Sequence, residues 1–334
     1  MEDTDDISSV AVELSDLEVA LFLCLASGEH CRIDTTDDNV NDVAKELALI
    51  SSNTFGLSYT ILDCSTVTSL DDFCRELAPL DVRRSATTRK ATEQMYNVVI
   101  VKNFDVADEN IQLHALELMR SRQLTTQETT LKAPADFLFL PLTVRRPENI
   151  DSKLNSHLND HLLISHFHDV DDDYVYLEEN NDWLSDQVSV SSVVRKSDVS
   201  VKKGHPVIDR KLLDKLRRAS ELVTVNADVV RYQQDIVVFL RLSRAVSGGI
   251  TTRSNVHFKI FSKYLAALHG VDYLTPSIVT LAAKKVFRHR IIVSKPEDDR
   301  SLQYGSDFKA VSRVLAYATP ETILDSVLTL EAPV

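Results

Sequence analysis

Glycine is scarce in this chain: seven in 334 residues, about 2%, where ordinary usage of about 7% would supply about 23. Glycine supplies positive φ and lets a backbone approach phosphate closely. With only Gly28, Gly56, Gly204, Gly248, Gly249, Gly270 and Gly305, no Gly-x-x-x-x-Gly-Lys or Gly-x-Gly-x-x-Gly loop can be written. The commonest nucleotide phosphate cradles are therefore excluded. Cysteine is also sparse. Cys24, Cys31, Cys64 and Cys74 form no Cys-x-x-Cys pair, so neither a zinc knuckle nor a disulfide framework is expected, and they read as reduced thiols of an intracellular protein. Long apolar runs are missing too. The cleanest, residues 19–26 and 137–142, are too short to span a membrane. Residues 1–6 are acidic, with no apolar signal core.

What is present is charge, unevenly spread. Residues 1–182 carry 14 Lys/Arg against 35 Asp/Glu, a net of −21; residues 183–334 carry 23 against 15, a net of +8. Two electrically opposed halves predict two domains that dock on each other. The chain is long enough for one large core or two modest ones.

The first half alternates strand and helix patterns. Residues 19–26 form a continuous apolar run read as a buried parallel strand. A helix is expected over 40–51, strands over 57–62 and 97–101, and a helix over 69–77 with Ser69 as N-cap. An amphipathic helix over 110–122, a hairpin over 124–131, a strand over 137–142 and a last short strand over 174–177 follow. This predicts an α/β parallel sheet with flanking helices over residues 1–182. Residues 183–208 read as a linker or surface loop, 209–294 as a helical unit and 295–334 as a helical tail. Asn226 and Thr275-Pro276 mark helix starts in the helical unit, and Gly270 a helix end.

Several ordered motifs carry a family resemblance. Val98-Val99-Ile100-Val101-Lys102-Asn103, Ala115-Leu116-Glu117-Leu118-Met119-Arg120 and Ala133-Pro134-Ala135-Asp136-Phe137 resemble the second half of an AAA+ ATPase core of the MoxR/magnesium-chelatase type. Leu240-Arg241-Leu242-Ser243-Arg244, Gly249-Ile250-Thr251-Thr252-Arg253, Leu268-His269-Gly270-Val271-Asp272-Tyr273-Leu274-Thr275-Pro276 and Arg288-His289-Arg290-Ile291 are similar to that family's helical lid. The resemblance spans roughly residues 17–292 and implies an AAA+-like sheet followed by a lid.

The chemistry of that family is not carried over. Hydrolysis needs a phosphate cradle with a Lys, a Mg²⁺-binding Asp and an acid that polarises water. The loop expected after the first strand, Ser27-Gly28-Glu29-His30-Cys31-Arg32-Ile33-Asp34, has one Gly and no Lys. Lys102-Asn103 replaces the strand-end Asp-Glu pair, and Thr143-Val144-Arg145-Arg146 stands where the resemblance implies a sensing Asn. Asp160-His161-Leu162 stands near the family's Asp-Arg-Phe. No catalytic residue and no cofactor are expected. Arg253 matches the second sensing Arg, with two readings: a vestigial nucleotide contact, or an inherited Arg paired with the acidic core. His166-Phe167-His168, followed by Asp169 and Asp171-Asp172-Asp173, is the one candidate metal cluster; it lacks a third His or Cys and reads as a solvated acidic turn.

The basic stretch 195–218 could meet nucleic-acid phosphates. It has little aromatic interleaving, and the acidic half offers an intramolecular partner. A narrower resemblance rests on Tyr304-Gly305-Ser306-Asp307 and the end Ala332-Pro333-Val334: the chain looks like the fungal maintenance of telomere capping protein 2 family. The resemblance implies a non-catalytic scaffold for protein partners, in a telomere-capping role, with a homo-oligomer joined core to lid as one form. Direct nucleic-acid binding and membrane association are not expected. Two alternatives remain open: a nucleotide-binding switch without hydrolysis, and a DNA-end binder using residues 195–218.

Overall fold

The computed structural model describes residues 2–65, 68–79, 92–125, 130–145, 154–169, 174–177 and 206–332. A first helix, α1 (Glu2–Glu13), leads to α2 (Asp16–Ser27). The run 19–26 therefore lies in a helix, correcting the strand expectation. Ser15 and Glu18 close a capping box, and Gly28 ends the helix at φ 71°. Almost every side chain of α2 is buried, so no polar face survives to mark a 3.6-residue period.

The first strand is β1 (His30–Thr35), and helix α3 (Val40–Asn53) follows it. Then come β2 (Tyr59–Asp63), α4 (Leu70–Glu76), β3 (Thr92–Gln94) and β4 (Val98–Lys102). Ser69 caps α4 by accepting the N–H of Asp72, as expected. After α5 (Glu109–Ser121), strands β5 (Gln123–Thr125) and β6 (Thr130–Lys132) form the expected hairpin, with β3 joining β6 in parallel. Strand β7 (Leu138–Val144), helix α6 (Ser156–His161) and strand β8 (Leu162–Phe167) complete the core. The last strand is thus β8; residues 175–177, read as a strand from sequence, form a helical turn.

Five strands pair in the order β2-β4-β7-β1-β8, all parallel. Alternation sorts their side chains onto two faces. Val99, Val101 and Phe139 pack with Phe73 of α4, Ile111 of α5 and Leu158 of α6. Cys31, Ile33, Ile100 and Leu140 face the other way, into one continuous apolar cluster with α2, α3 and the helical unit.

That unit comprises α7 (Arg210–Leu222), α8 (Ala227–Leu242), α9 (Thr252–Leu268) and α10 (Pro276–Phe287). Asn226 and Thr275 accept backbone N–H groups as caps, the latter with Pro at the start of the helix. Short strands β9 (Val246–Gly248) and β10 (Ile292–Val293) pair antiparallel. The tail adds α11 (Phe308–Leu315) and α12 (Pro320–Val327), the latter buried through Ile323, Leu324 and Val327. Leu213, Val237, Phe258 and Val286 of the helical unit share the apolar cluster with the sheet. Most of the segment read as a linker, and all of 195–205, lies outside the described residues.

Candidate functional site

In a parallel α/β sheet, ligands bind beyond the carboxyl ends of the strands. Here that crest is formed by the turn after β1, the end of β4 and the end of β7. The turn between β1 and α3 is Thr36-Asp37-Asp38-Asn39, a 3₁₀ turn containing neither Gly nor Lys. The phosphate-loop position is therefore residues 36–39. The stretch 27–34, expected to hold it, instead contains the helix end and most of β1 itself. Asn39 makes no side-chain cap, and two carboxylates sit where a phosphate would need donors and positive charge.

At the end of β4, Lys102 points into the crest. Its Nζ lies 2.8 Å from Asp63 Oδ2 at the end of β2 and 2.9 Å from Asn41 Oδ1 in the first turn of α3. Asn103, at φ 53°, donates to Asp63 Oδ1 at 3.0 Å. Partial burial alone would raise the Asp63 carboxyl. The hydrogen bonds from Lys102 and Asn103, with the Lys102 charge, outweigh it and hold the group below its ordinary value. One ammonium thus joins two strand ends to the first turn of the helix.

At the end of β7, Thr143 donates to Asp34 Oδ1 at 2.5 Å. Arg32 Nε lies 2.5 Å from the same oxygen and 3.1 Å from Thr143 Oγ1. These polar side chains come from alternate positions of β1 and β7, where an apolar face would be the rule. Their mutual bonds satisfy them.

Arg253 lies at the other end of the sheet. Its Nη1 is 3.1 Å from His161 Nδ1 and its Nε 3.9 Å from Asp160 Oδ2. His161 precedes β8, whose first residue pairs with His30 at the start of β1. A six-residue strand at about 3.3 Å per residue puts Arg253 roughly 15–20 Å from the 36–39 turn. The two do not meet within the chain.

That lower edge holds a group that sequence reasoning missed. Arg290 is 2% exposed. It donates to the carbonyls of Leu162, Leu163 and Asp160 in the core, to Val286 in α10 and to Nδ1 of His257 in α9. Asn159 donates to the His289 carbonyl at 2.6 Å, and Thr251 to Asp160 Oδ1 at 2.7 Å. Gly249 is required here: at φ 92° an added Cβ would sit 1.7 Å from the Arg290 carbonyl oxygen. The available signal was the Gly248-Gly249 pair preceding Arg253, together with the Arg288–Arg290 run.

Burial dominates the electrostatics of this edge. Desolvation first, then Arg253 among other charges, lowers the His161 pKa to about 4. Desolvation and Arg290 lower His257 to about 3. Desolvation and Arg122 lower His30 to about 3. Desolvation likewise raises Glu29, against the pull of Arg253, Arg122 and Arg290, and brings Arg290 down to about 9.

The remaining candidates are dispersed. His166 and His168 are buried with ring centroids 6.4 Å apart; Lys285 Nζ lies 3.3 Å from His166 Nδ1, and Asp171–Asp173 lie outside the described residues. Among the described residues no group of three or more His, Cys, Asp and Glu could hold a metal. Of the basic stretch, Arg210 reaches Asp136 at 3.6 Å, and Arg217 reaches Asp214 and the Ala26 carbonyl. Among the described residues no helix is long and apolar enough to cross a membrane.

One cleft of about 870 Å³ runs between the sheet and the helical unit. Arg32, Asp34 and Thr143 line one wall, Asn159 and Asp160 another, and Arg288–Ile292 with Lys295 and Glu321 a third.

Comparison with known proteins agrees with this geometry. Residues 239–308 match the AAA lid domain family. Over its whole length the chain superposes on 96% of a candidate ATPase from Cytophaga hutchinsonii, with TM-score 0.66 and 13% identity. That likeness establishes an AAA-like fold. Maintenance of telomere capping protein 2 of Kluyveromyces lactis is 28% identical over 98 residues, 28% of this chain and 36% of that protein. Its counterpart in Lachancea thermotolerans is 32% identical over 108 residues, 31% of this chain and 38% of that protein. Over about a third of its length, then, the chain is similar to maintenance of telomere capping protein 2 of two yeasts. The aligned stretch spans little more than a third of either curated relative.

Proposed function

We propose that the chain is a pseudo-ATPase: an AAA-like scaffold that binds protein partners without hydrolysing nucleotide, in the telomere-capping role for which its two yeast relatives are named. Lys102 carries the reading. Phosphoryl transfer on this fold uses a strand-end Asp to hold Mg²⁺ and an acid to polarise water. An ammonium cannot ligate a cation, and the Asn103 amide cannot act as a base. The ammonium bonded to Asp63 and Asn41 occupies the ground a metal would need. The 36–39 turn adds two carboxylates and no Lys. Arg253 resembles the second sensing Arg of AAA+ ATPases, but its guanidinium lies roughly a strand length from the 36–39 turn.

The test is a thermal-shift titration of the full chain with ATP and ADP, with and without Mg²⁺, alongside phosphate release. No shift at millimolar nucleotide and no release are expected. Returning only the strand-end acid, Lys102→Asp, should leave the chain inactive, because the 36–39 turn still lacks its donors. A Mg²⁺-dependent shift that Arg253→Ala abolishes would replace this reading with the switch. Light scattering across physiological salt tests the core-to-lid homo-oligomer; a monomer throughout removes it. Affinity purification with partner identification supplies the partners themselves.

A further inference from the structure

We infer that the arginine pair Arg145 and Arg288 is a recognition site for an acidic side chain of a partner polypeptide, occupied in this chain by its own Glu321. The inference deepens the scaffold reading by naming the chemistry of the partner, and its test involves no nucleotide.

Both guanidinium groups lie against one aromatic ring, with their carbons 5.5 Å and 5.6 Å from the Phe167 centroid. They converge on a single oxygen, Glu321 Oε1, at 2.5 Å from Arg145 Nη2 and 2.9 Å from Arg288 Nε. They come from different parts of the chain: Arg145 follows β7, Arg288 ends α10, and Phe167 ends β8. The ring supplies a flat backing that limits the rotamers of both arginines and favours them by cation–π attraction. Two planar forks facing one carboxylate form the arrangement by which Arg recognises acids.

The charge count leaves room for more than Glu321. Two guanidinium groups share one carboxylate. Lys295, exposed on the same cleft, has no carboxylate within ion-pair reach among the described residues. On the cleft walls, Asp34 is already bonded by Arg32 and Thr143, and Asp160 by Thr251 and the Arg290 guanidinium region. Among the described residues that line the cleft, Arg32, Arg145, Arg288, Arg290 and Lys295 stand against Asp34, Asp105, Asp160 and Glu321, so one positive charge is in surplus beside a site shaped for a carboxylate, with about 870 Å³ to admit a side chain and its flanking residues. Glu321 stands at the first turn of α12, and the helix remains anchored by Ile323, Leu324, Val327 and the Lys284–Asp325 pair at 2.9 Å. Rotation of one side chain, without release of the helix, would vacate the site.

The experiment measures fluorescence anisotropy of a labelled ten-residue Glu/Gly peptide with the full chain at low salt. A Gln/Gly peptide is the control and inorganic phosphate the competitor. Expected are weak binding by the unaltered chain and at least tenfold tighter binding by Glu321→Gln. Adding Arg288→Gln to that variant should abolish binding. Equal affinity of the unaltered chain and Glu321→Gln, no binding by either, binding of the control, or survival of binding with Arg288→Gln would each overturn the inference. Competition by phosphate as strong as by unlabelled peptide would make the site one for small anions and overturn the assignment to a polypeptide. If Glu321→Gln melts early, Lys295→Glu decides: at least threefold weaker binding supports the site, and unchanged binding removes it. Failure here leaves the nucleotide result of the scaffold reading untouched.

Discussion

The two ends of the sheet have been treated differently. The crest carries Asp37 and Asp38 in the turn, Lys102 and Asn103 at the end of β4 and Thr143 near the end of β7. At the lower edge, the joint between core and helical unit is dense. Arg290 alone reaches four backbone carbonyls and one imidazole from near-complete burial. At the crest the Lys102–Asp63 pair is half-exposed beside the largely buried Arg32–Asp34–Thr143 set, whereas the bonds of Arg290 at the lower edge tie the core to the helical unit. The proposed scaffold role rests on this contrast between a crest without a phosphate cradle and a tightly bonded joint.

Substitutions at each end should measure that contrast. The largest effect is expected at the joint. Arg290→Met removes the guanidinium from the carbonyls of Leu163, Asp160 and Val286 and from His257, and should cost about 3 kcal/mol or more in urea unfolding. Gly249→Ala should cost at least about 2 kcal/mol, from positive φ and the overlap with the Arg290 carbonyl. Because the two touch, their effects should fall short of additivity in a double-mutant cycle. Fully additive losses would mean the joint is not one unit.

Acid should act on the same edge. His30, His161 and His257 have pKa values below the usual 6.5, so the unfolded chain binds more protons as pH falls through 6.5. Their contribution is full above about pH 7 and lost progressively toward pH 4 and below. Glu29, raised by burial, acts with opposite sign, losing its contribution as pH rises through its own pKa. Four histidines, with His289 lowered likewise by burial and by Arg290, against one carboxyl predict a lower urea midpoint at pH 5 than at pH 7.5. A flat profile between those values would remove the electrostatic account.

The crest should respond less. Lys102→Met should cost about 0.5–1 kcal/mol, since Asp63 is more than half exposed. Arg253→Ala should be smallest, below about 0.5 kcal/mol, its guanidinium being 42% exposed. If either exceeded the cost at Arg290, the contrast between the two ends would be reversed.

Legibility in the sequence followed amphipathicity. Helices with one apolar stripe, α3, α5, α8 and α10, were found near their ends, as were β4 and β7 with their continuous apolar runs and the more mixed β2. Helix α2 was misread because burial on all sides erased its period; Ser15 and Glu18 at capping-box spacing were the signal that could have corrected it. Strand β1 was hidden for the converse reason. His30, Arg32 and Asp34 are polar yet buried or nearly so, their partners lying on β7 and β8, more than a hundred residues away in sequence. That pair of errors moved the expected phosphate loop off residues 36–39. That Lys102-Asn103 stands at a strand end was visible directly, since residues 97–101 read as a clear strand. The Arg290 joint was not, because its acceptors are backbone carbonyls, which leave no trace in side-chain identity.

Lys102 has one more consequence. A metal ion at the head of a sheet comes and goes with its own dissociation constant, and chelators strip it. An ammonium carried on the polypeptide does neither. It is present at every concentration of magnesium, so on the scaffold reading proposed above this corner of the molecule needs no metal ion to hold its two strand ends to the helix.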